Sequence, residues 1–212
     1  MGRRGRTGQV LREFGVVLVG VFCALAAESW WSEREDRRFE RELRDDILVE
    51  FQANLRILES DLATNDTSRA QVAELTILTE PELVSQTSSA MTDKFGDYPD
   101  WAGFDPEMGI VQALVESGNV SQVSDRTLRL LLSQWAGLLE EKRRFNLQTV
   151  EFQNHQVVPV VARVTADLVW TEAERREVQS LYRAFALLQA GVIANQQRLR
   201  TTALAIREHL IR

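Results

Sequence analysis

Hydrophobic residues are arranged in two different ways along this chain. Residues 14–27 contain no charged or strongly polar side chain, and two tryptophans, Trp30 and Trp31, follow them. From Ser32 onward the hydrophobic residues recur at spacings of three and four, which is typical of amphipathic helices. The pattern therefore predicts one apolar helix near the N-terminus and a helical domain after it.

The apolar stretch has the length of a membrane anchor. Eighteen residues of helix, 14–31, span about 27 Å, which is close to the hydrocarbon core of a bilayer at about 30 Å. Arg12 precedes the stretch and Trp30 and Trp31 close it, which suits the two interfaces with the lipid bilayer, and a tail over 1–13 with four arginines favours a cytoplasmic N-terminus. We therefore expect a single-pass protein of the bacterial inner (cytoplasmic) membrane with a periplasmic C-terminal domain.

A cleaved signal peptide is the alternative interpretation of the same stretch. Arginines precede the apolar run, and Ala24-Leu25-Ala26 resembles a cleavage site. The run is also short for a membrane span. The helical pattern nevertheless continues beyond Ala26 without a turn residue, and this continuity favours a retained anchor.

Small residues share one face of the predicted anchor, namely Gly20, Cys23, Ala24 and Ala27. The spacing of Gly20 and Ala24 is a small-xxx-small pattern, which lets a second helix approach closely. Small residues are also common in transmembrane helices in general. We expect this face to pack against other transmembrane helices or against subunits of a membrane complex.

The domain over 32–212 is predicted to be all-α. Its first helix is expected to run from Ser32 to about Asn65, and it opens with charges of both signs at spacings that suit local ion pairs. Asn65-Asp66-Thr67-Ser68 is expected to end this helix and to cap a second one. The expected architecture is a soluble antiparallel bundle of about five or six helices, continuous with the N-terminal transmembrane helix.

Later helix boundaries carry their own local signals. Asp105-Pro106-Glu107 is expected to start a third helix, because an aspartate cap, a proline and an early acid are typical of helix N-termini. Ser124 or Asp125 is expected to cap a fourth helix, which Pro159 should break. The pattern from Thr171 to Glu174 predicts a capping box for the last helix.

One irregular segment, at about 85–106, interrupts the helical pattern. Four aromatic residues, Phe95, Tyr98, Trp101 and Phe104, alternate there with aspartates. Long loops in compact domains often carry function. Two roles are open: the aromatic side chains plug the end of the bundle, or they form a docking loop for a partner.

Composition and motifs exclude several kinds of chemistry. The net charge of −6 argues against nucleic-acid binding, which needs a clustered basic face. Neither His155 nor His209 lies within four residues of a cysteine or a second histidine, so a zinc site is not expected. Phosphate-binding, dinucleotide-binding and nucleophile motifs are missing from the sequence. We expect no catalytic residue, no metal, no cofactor and no enzyme activity.

Two segments resemble an uncharacterised family of small single-span bacterial membrane proteins. Glu13, Gly20, Ala24-Leu25 and Trp30 match the outline of that family's N-terminal span, and residues 109–132 look like its helix, serine-glycine turn and aspartate-capped helix. The resemblance implies an N-terminal transmembrane helix followed by a helical domain of unknown function. It transfers no catalytic residue.

The function predicted from these features is that of a non-enzymatic accessory, structural or scaffolding subunit. The small-residue face, the helix leading out of the anchor and the aromatic segment suit a protein that braces a larger membrane complex, such as a respiratory, transport or photosynthetic reaction-centre assembly. The alternative is a membrane-tethered periplasmic sensor or ligand-binding domain. A pocket with convergent polar groups would favour that alternative.

Overall fold

A computed structural model describes the backbone of residues 4–95, 102–107, 109–118, 120, 123–166 and 170–212. Within these ranges the side chains are described from residue 21 onward, except at 24, 26, 36, 75, 92, 94, 95 and 164–166. The all-α prediction is confirmed, since these residues form helices and no strand. The helices are α1 (Arg4–Thr76), α2 (Glu80–Ser85), α3 (Ser88–Phe95), α4 (Ile110–Glu116), α5 (Arg126–Phe152), α6 (Val158–Ala166) and α7 (Glu172–Ile211).

The expected number of helices is also confirmed for the described residues. A π-helical turn, Gln153–Val157, joins α5 to α6 without a break, so these two helices count as one segment and the described chain has six. The irregular segment expected at 85–106 is partly helical, because α3 lies inside it. By contacts the chain divides into two compact units, Met1–Asp46 and Ile47–Arg212.

In the first unit, the described residues all belong to α1. Its charged part carries the predicted ion pairs between neighbouring turns. Arg37 lies 2.5 Å from Glu33, and Arg38 lies 2.8 Å from Glu42. Because all four side chains are well exposed, these pairs contribute little to the stability of the helix.

The prediction of a single-pass inner-membrane protein with a cytoplasmic N-terminus and a periplasmic domain is wrong. Among the residues that the structure describes, no helix is both long enough and apolar enough to cross a membrane. From Val21 onward the reason is visible in the sequence. Glu28 and the charged run that begins at Glu33 leave too short an apolar stretch in the described part of α1.

In the second unit, α7 runs antiparallel to the later part of α1. Near the middle of α7, the Gln189 amide donates to the Ser68 hydroxyl at 2.8 Å. Eleven residues further along α7, Arg200 donates to Glu59 at 3.2 Å, and Glu59 precedes Ser68 on α1. Residue numbers therefore rise along α7 as they fall along α1, which is the arrangement of antiparallel neighbours.

The same relation holds between α7 and α5. Arg198 contacts Glu141 at 2.8 Å, and His209 contacts Asp125 at 2.6 Å. Since α7 is antiparallel to both partners, α1 and α5 run in the same direction. These three long helices build the bundle and bury its largest side chains, which include Ile47, Phe51, Leu58, Leu128, Leu132, Trp135, Tyr182 and Leu199.

A second group of buried side chains lies where α2, α3 and α6 pack against α7. It comprises Val72, Leu83, Met91, Val157, Val161, Trp170, Val178, Tyr182 and Phe185. The buried guanidinium of Arg175 donates there to the backbone carbonyls of Leu83, Gln86 and Trp170. These bonds satisfy a buried cation without a carboxylate and tie the α2–α3 turn to the start of α7.

Two predicted helix boundaries are wrong for related reasons. The structure continues α1 through the segment expected to end it, because Asn65 and Ser68 point inward and bond to other parts of the chain rather than capping a helix. Pro159 does not stop the helical path either. It is the second residue of α6, directly after the π-helical turn, and in a first helical turn its missing N–H is tolerated.

The predicted caps of α5 and α7 are confirmed. The Thr171 hydroxyl and the Glu174 carboxylate form the capping box at the start of α7. At the start of α5, the Asp125 carboxylate accepts from the backbone N–H groups of Thr127 and Leu128 at 2.9 and 3.0 Å. The bond from His209, together with these two, holds the pKa of Asp125 below its usual value.

Replacing Asp125 by alanine is expected to lower the free energy of unfolding by about 1 kcal/mol at pH 7, the typical contribution of a helix cap. The folded state lowers the pKa of this carboxyl. Its contribution to stability is therefore present above the ordinary pKa near 3.8 and is lost as the pH falls through the lowered pKa of the folded state. Urea unfolding at pH 7 and at pH 3 measures the difference. Asp66→Ala is the control, since this exposed aspartate pairs only with Arg69, at 3.6 Å. An equal loss at both pH values would contradict the prediction.

Candidate functional site

Residues 102–107 form an extended segment that two asparagines of α1 hold in place. The Asn65 amide donates to the carbonyl of Ala102 at 2.8 Å and accepts from the N–H of the same residue at 2.9 Å. Asn54 makes the same pair of bonds with Glu107, at 2.9 and 2.8 Å. Each asparagine amide thus forms the pair of hydrogen bonds that the backbone of a neighbouring β-strand would otherwise provide.

The spacing of the two asparagines explains how one segment satisfies both. Asn54 and Asn65 are eleven residues apart, which is about 16.5 Å along a helix and close to three full turns, so they lie on one face. Ala102 and Glu107 are five residues apart, which is also about 16.5 Å in extended chain. The segment therefore lies along α1 and runs in the opposite direction.

Further contacts complete this attachment. Gln196 of α7 donates to the carbonyl of Ala102 at 3.0 Å and accepts from Asn65 at 2.9 Å. The buried carboxylate of Glu50 accepts from the N–H of Ile110 at 2.7 Å, at the first residue of α4. The N-cap of α4 is Gly109 rather than Asp105, so the predicted helix start at Asp105 is wrong, because the backbone of Glu107 is engaged by α1.

The attached segment places Phe104 in the core. Phe104 is fully buried, and its ring lies 6.0 Å from the ring of Trp135 in an edge-to-face arrangement. Phe51 meets the same indole from α1 at 4.9 Å. Phe104 thus lies inside the bundle, which is one of the two roles left open for it, and none of its own surface is exposed for docking. The side chains of Phe95, Tyr98 and Trp101, predicted in that loop, lie outside the described residues.

A groove of about 520 Å³ opens between α4, α5 and the end of the attached segment. Its size falls within the range of small-molecule sites, about 300–1,000 Å³. Most of its surface is apolar, and its apolar lining residues are Pro106, Val111, Val115, Trp135, Ala136 and Leu139. Polar side chains edge the groove, namely Asp105, Gln112, Glu116, Glu140, Lys142 and Arg143.

Lys142 is the half-buried cation of this groove. Burial lowers the pKa of its ammonium group, while Asp105 and Asp61 act in the opposite direction through their charges. Burial in turn raises the pKa of Asp61. Among the described residues, Lys142 has no hydrogen-bond partner and no carboxylate within 4.0 Å. Its three N–H groups are therefore available to a ligand.

Two of the acids at the edge are engaged by neighbouring side chains, whereas Asp105 is exposed. Arg143 donates twice to Glu140, at 2.8 and 3.0 Å. The Gln112 amide donates to Glu116 at 2.6 Å. In addition, the indole N–H of Trp135 is buried with no hydrogen-bond partner among the described residues. The groove thus combines an apolar surface with the unused donors of Lys142.

Sequence reasoning missed this groove, although one compositional signal points to it. Of the 25 lysines and arginines only two are lysines, Lys94 and Lys142. Arginine stays charged in proteins, whereas lysine is a compact, strongly hydrated cation whose pKa shifts readily on burial. A lysine at position 142, directly before Arg143 and Arg144, is therefore an exception in an arginine-rich chain.

The predicted anchor residues lie on an exposed part of α1. Cys23 and Ala27, predicted to face other helices, are exposed, and so are Trp30 and Trp31, predicted for the membrane interface. The Arg34 guanidinium lies 5.2 Å from the centre of the Trp30 ring. The side chains of Arg12, Gly20 and Ala24, which completed those predictions, lie outside the described residues.

Among the described side chains of this first unit, six large apolar ones are exposed. They are Val21, Phe22, Leu25, Trp30, Trp31 and Phe39, and between 51% and 68% of the surface of each is exposed. At 100° per residue, those between Val21 and Trp31 lie on several sides of α1 rather than in one stripe. The described residues contain no group of three or more side chains suited to hold a metal ion.

No protein-family model, curated protein or solved structure matches this chain significantly. The resemblance to the single-span family therefore stays a prediction. The contacts, burial and charges of the described residues are the basis for any functional assignment.

Proposed function

We propose that this chain is a non-enzymatic accessory or structural subunit of a larger protein assembly, with the first unit as its attachment point. One observation carries the proposal: large apolar side chains of α1 are exposed on several sides between Val21 and Trp31. A helix that is apolar on several sides is stable when it is enclosed. The enclosing surface in this proposal belongs to partner proteins.

The energetics of burial support this role. Covering one large apolar side chain contributes about 1.5–3 kcal/mol. Several of these side chains together therefore supply enough free energy for a specific interface, even after the cost of association is subtracted. The tryptophans suit such an interface, because tryptophan is enriched among the residues that contribute most to binding.

Site-specific crosslinking in the native cell tests the proposal. A photoreactive phenylalanine analogue at Phe22 or Trp31 is expected to give one or two discrete protein adducts after illumination, because a partner encloses these positions. Mass spectrometry of the adducts identifies the partner. The same analogue at Gln52, an exposed residue of α1 in the second unit, is the control and is expected to give no such adduct.

The outcome that contradicts the proposal is equally specific. Adducts that are absent at Phe22 and Trp31, or equally abundant at Gln52, would show that the first unit has no dedicated protein partner.

A ligand-binding domain is a second candidate function, and the groove favours it. The groove at α4 and α5 has a largely apolar surface, and Lys142 provides hydrogen-bond donors at its edge. Ligand sites typically combine such a surface with a few polar groups that fix orientation. This candidate is independent of the first unit, and one protein can combine both roles.

A further inference from the structure

We propose that the groove between α4 and α5 binds a small amphipathic carboxylate, whose head group meets Lys142 and whose apolar part lies on Pro106, Val115 and Leu139. This inference rests on the second candidate function and specifies its ligand class.

The head group follows from the unused donors of Lys142. A half-buried ammonium without a hydrogen-bond partner has lost part of its hydration and has gained no bond in return. A carboxylate supplies two acceptor oxygens and forms a charge-assisted bond of the stronger kind. The charges of Asp61 and Asp105 counteract the effect of burial and so favour the charged form that such a ligand requires.

A cationic ligand fits the same groove poorly. Its head group would lie beside the ammonium of Lys142, and like charges in a partly buried site repel each other. Two of the acids at the edge are already engaged, Glu140 by Arg143 and Glu116 by Gln112. Asp105 is exposed at the edge of the groove, where its charge acts on Lys142.

The apolar part of the ligand follows from the shape and lining of the groove. Val115 and Leu139 supply accessible apolar surface. The buried indole of Trp135 also lines the groove and is packed by Phe51 and Phe104. Because these rings and the segment of Phe104 are held by α1, this side of the groove is formed before a ligand arrives. A preformed surface reduces the entropy that a ligand must lose on binding.

Calorimetric titration of the full chain with three probes of equal chain length tests the ligand class. The probes are octanoate, 1-octanol and octyltrimethylammonium, each below the concentration at which it aggregates. We expect saturable binding of one octanoate per chain, with affinity at least tenfold above that of octanol. Lys142→Gln should weaken octanoate binding at least tenfold and leave octanol unchanged, whereas Lys94→Gln should change neither.

A second measurement follows octanoate binding on the chain with Lys142 intact. Reductive methylation with ¹³C-formaldehyde labels the two lysines and the N-terminal amine and keeps the lysine charge. The Lys94→Arg variant has a single lysine, so the lysine carbon signal that it retains belongs to Lys142. Octanoate is expected to shift this signal in a saturable way and to leave the signal of Lys94 in place.

The possible results separate the inference from the function on which it rests. Equal binding of octanoate and octanol, or tighter binding of the trimethylammonium probe, would overturn the carboxylate proposal and leave the groove as a ligand site. The absence of binding by all three probes, with an unshifted Lys142 signal, would overturn both.

Discussion

Replacing Trp135 by alanine is expected to lower the free energy of unfolding by about 3–5 kcal/mol, the range for removing a large buried aromatic side chain. The indole is fully buried and is packed by Phe51 from α1 and by Phe104 from the attached segment. Its removal would leave a cavity where three parts of the chain meet, and the rigid helices around it can collapse only in part. Urea unfolding followed by far-ultraviolet circular dichroism measures the loss.

Leu130→Ala is the matched control for this prediction. Leu130 belongs to the same helix, but 63% of its surface is exposed. Its removal is expected to change the free energy of unfolding by no more than about 0.5 kcal/mol. Equal losses for the two variants would mean that the cluster around Trp135 does not form the centre of the bundle.

The elements that sequence predicts correctly are those defined by neighbouring residues. The Asp125 carboxylate caps α5 through bonds to residues two and three positions later, and Thr171 and Glu174 cap α7 within a single turn. The hydrogen-bond partners of these caps lie two or three residues away, so a local sequence pattern includes them. Helical periodicity is local in the same way, so the all-α fold followed from the sequence.

The errors occur where the same residue types serve distant partners. Asn65 and Ser68 look like helix caps, yet their side chains bond to Ala102 and Gln189, 37 and 121 residues away. Nothing in the local sequence separates an asparagine that caps a helix from one that holds an extended segment. Tertiary contacts decide between the two roles, and a single sequence does not contain them.

The groove could not be predicted for the same reason. Val111, Trp135 and Lys142 come from two helices, and the segment that ends the groove is held by a third. Helical spacing places Trp135 and Leu139 on one face of α5, but it does not indicate that α4 leaves this face partly uncovered.

The membrane prediction was wrong because a short apolar run was extended across Glu28 toward a charged helix.

Removing the two asparagines that hold the extended segment is expected to have the second large effect. Asn65→Ala removes two hydrogen bonds from the part-buried backbone of Ala102, and Asn54→Ala removes two from the backbone of Glu107. Each hydrogen bond contributes about 0.5–1.5 kcal/mol, so each variant should lose about 1–3 kcal/mol of stability. The double variant should lose less stability than the two single variants added together. The first substitution already loosens the segment, so the second removes bonds that are partly lost.

Amide hydrogen exchange distinguishes this mechanism from a general loss of stability. In Asn65→Ala the N–H of Ala102 should lose protection under native conditions, and in Asn54→Ala the N–H of Glu107 should do so, while the amides in the middle of α7 stay protected. Gln71→Ala removes an exposed amide from the same helix and is the control, with an expected change within about 0.5 kcal/mol. Additive losses with unchanged protection of Ala102 and Glu107 would show that the segment is held by Phe104 alone, and that the two asparagines contribute only to the stability of α1.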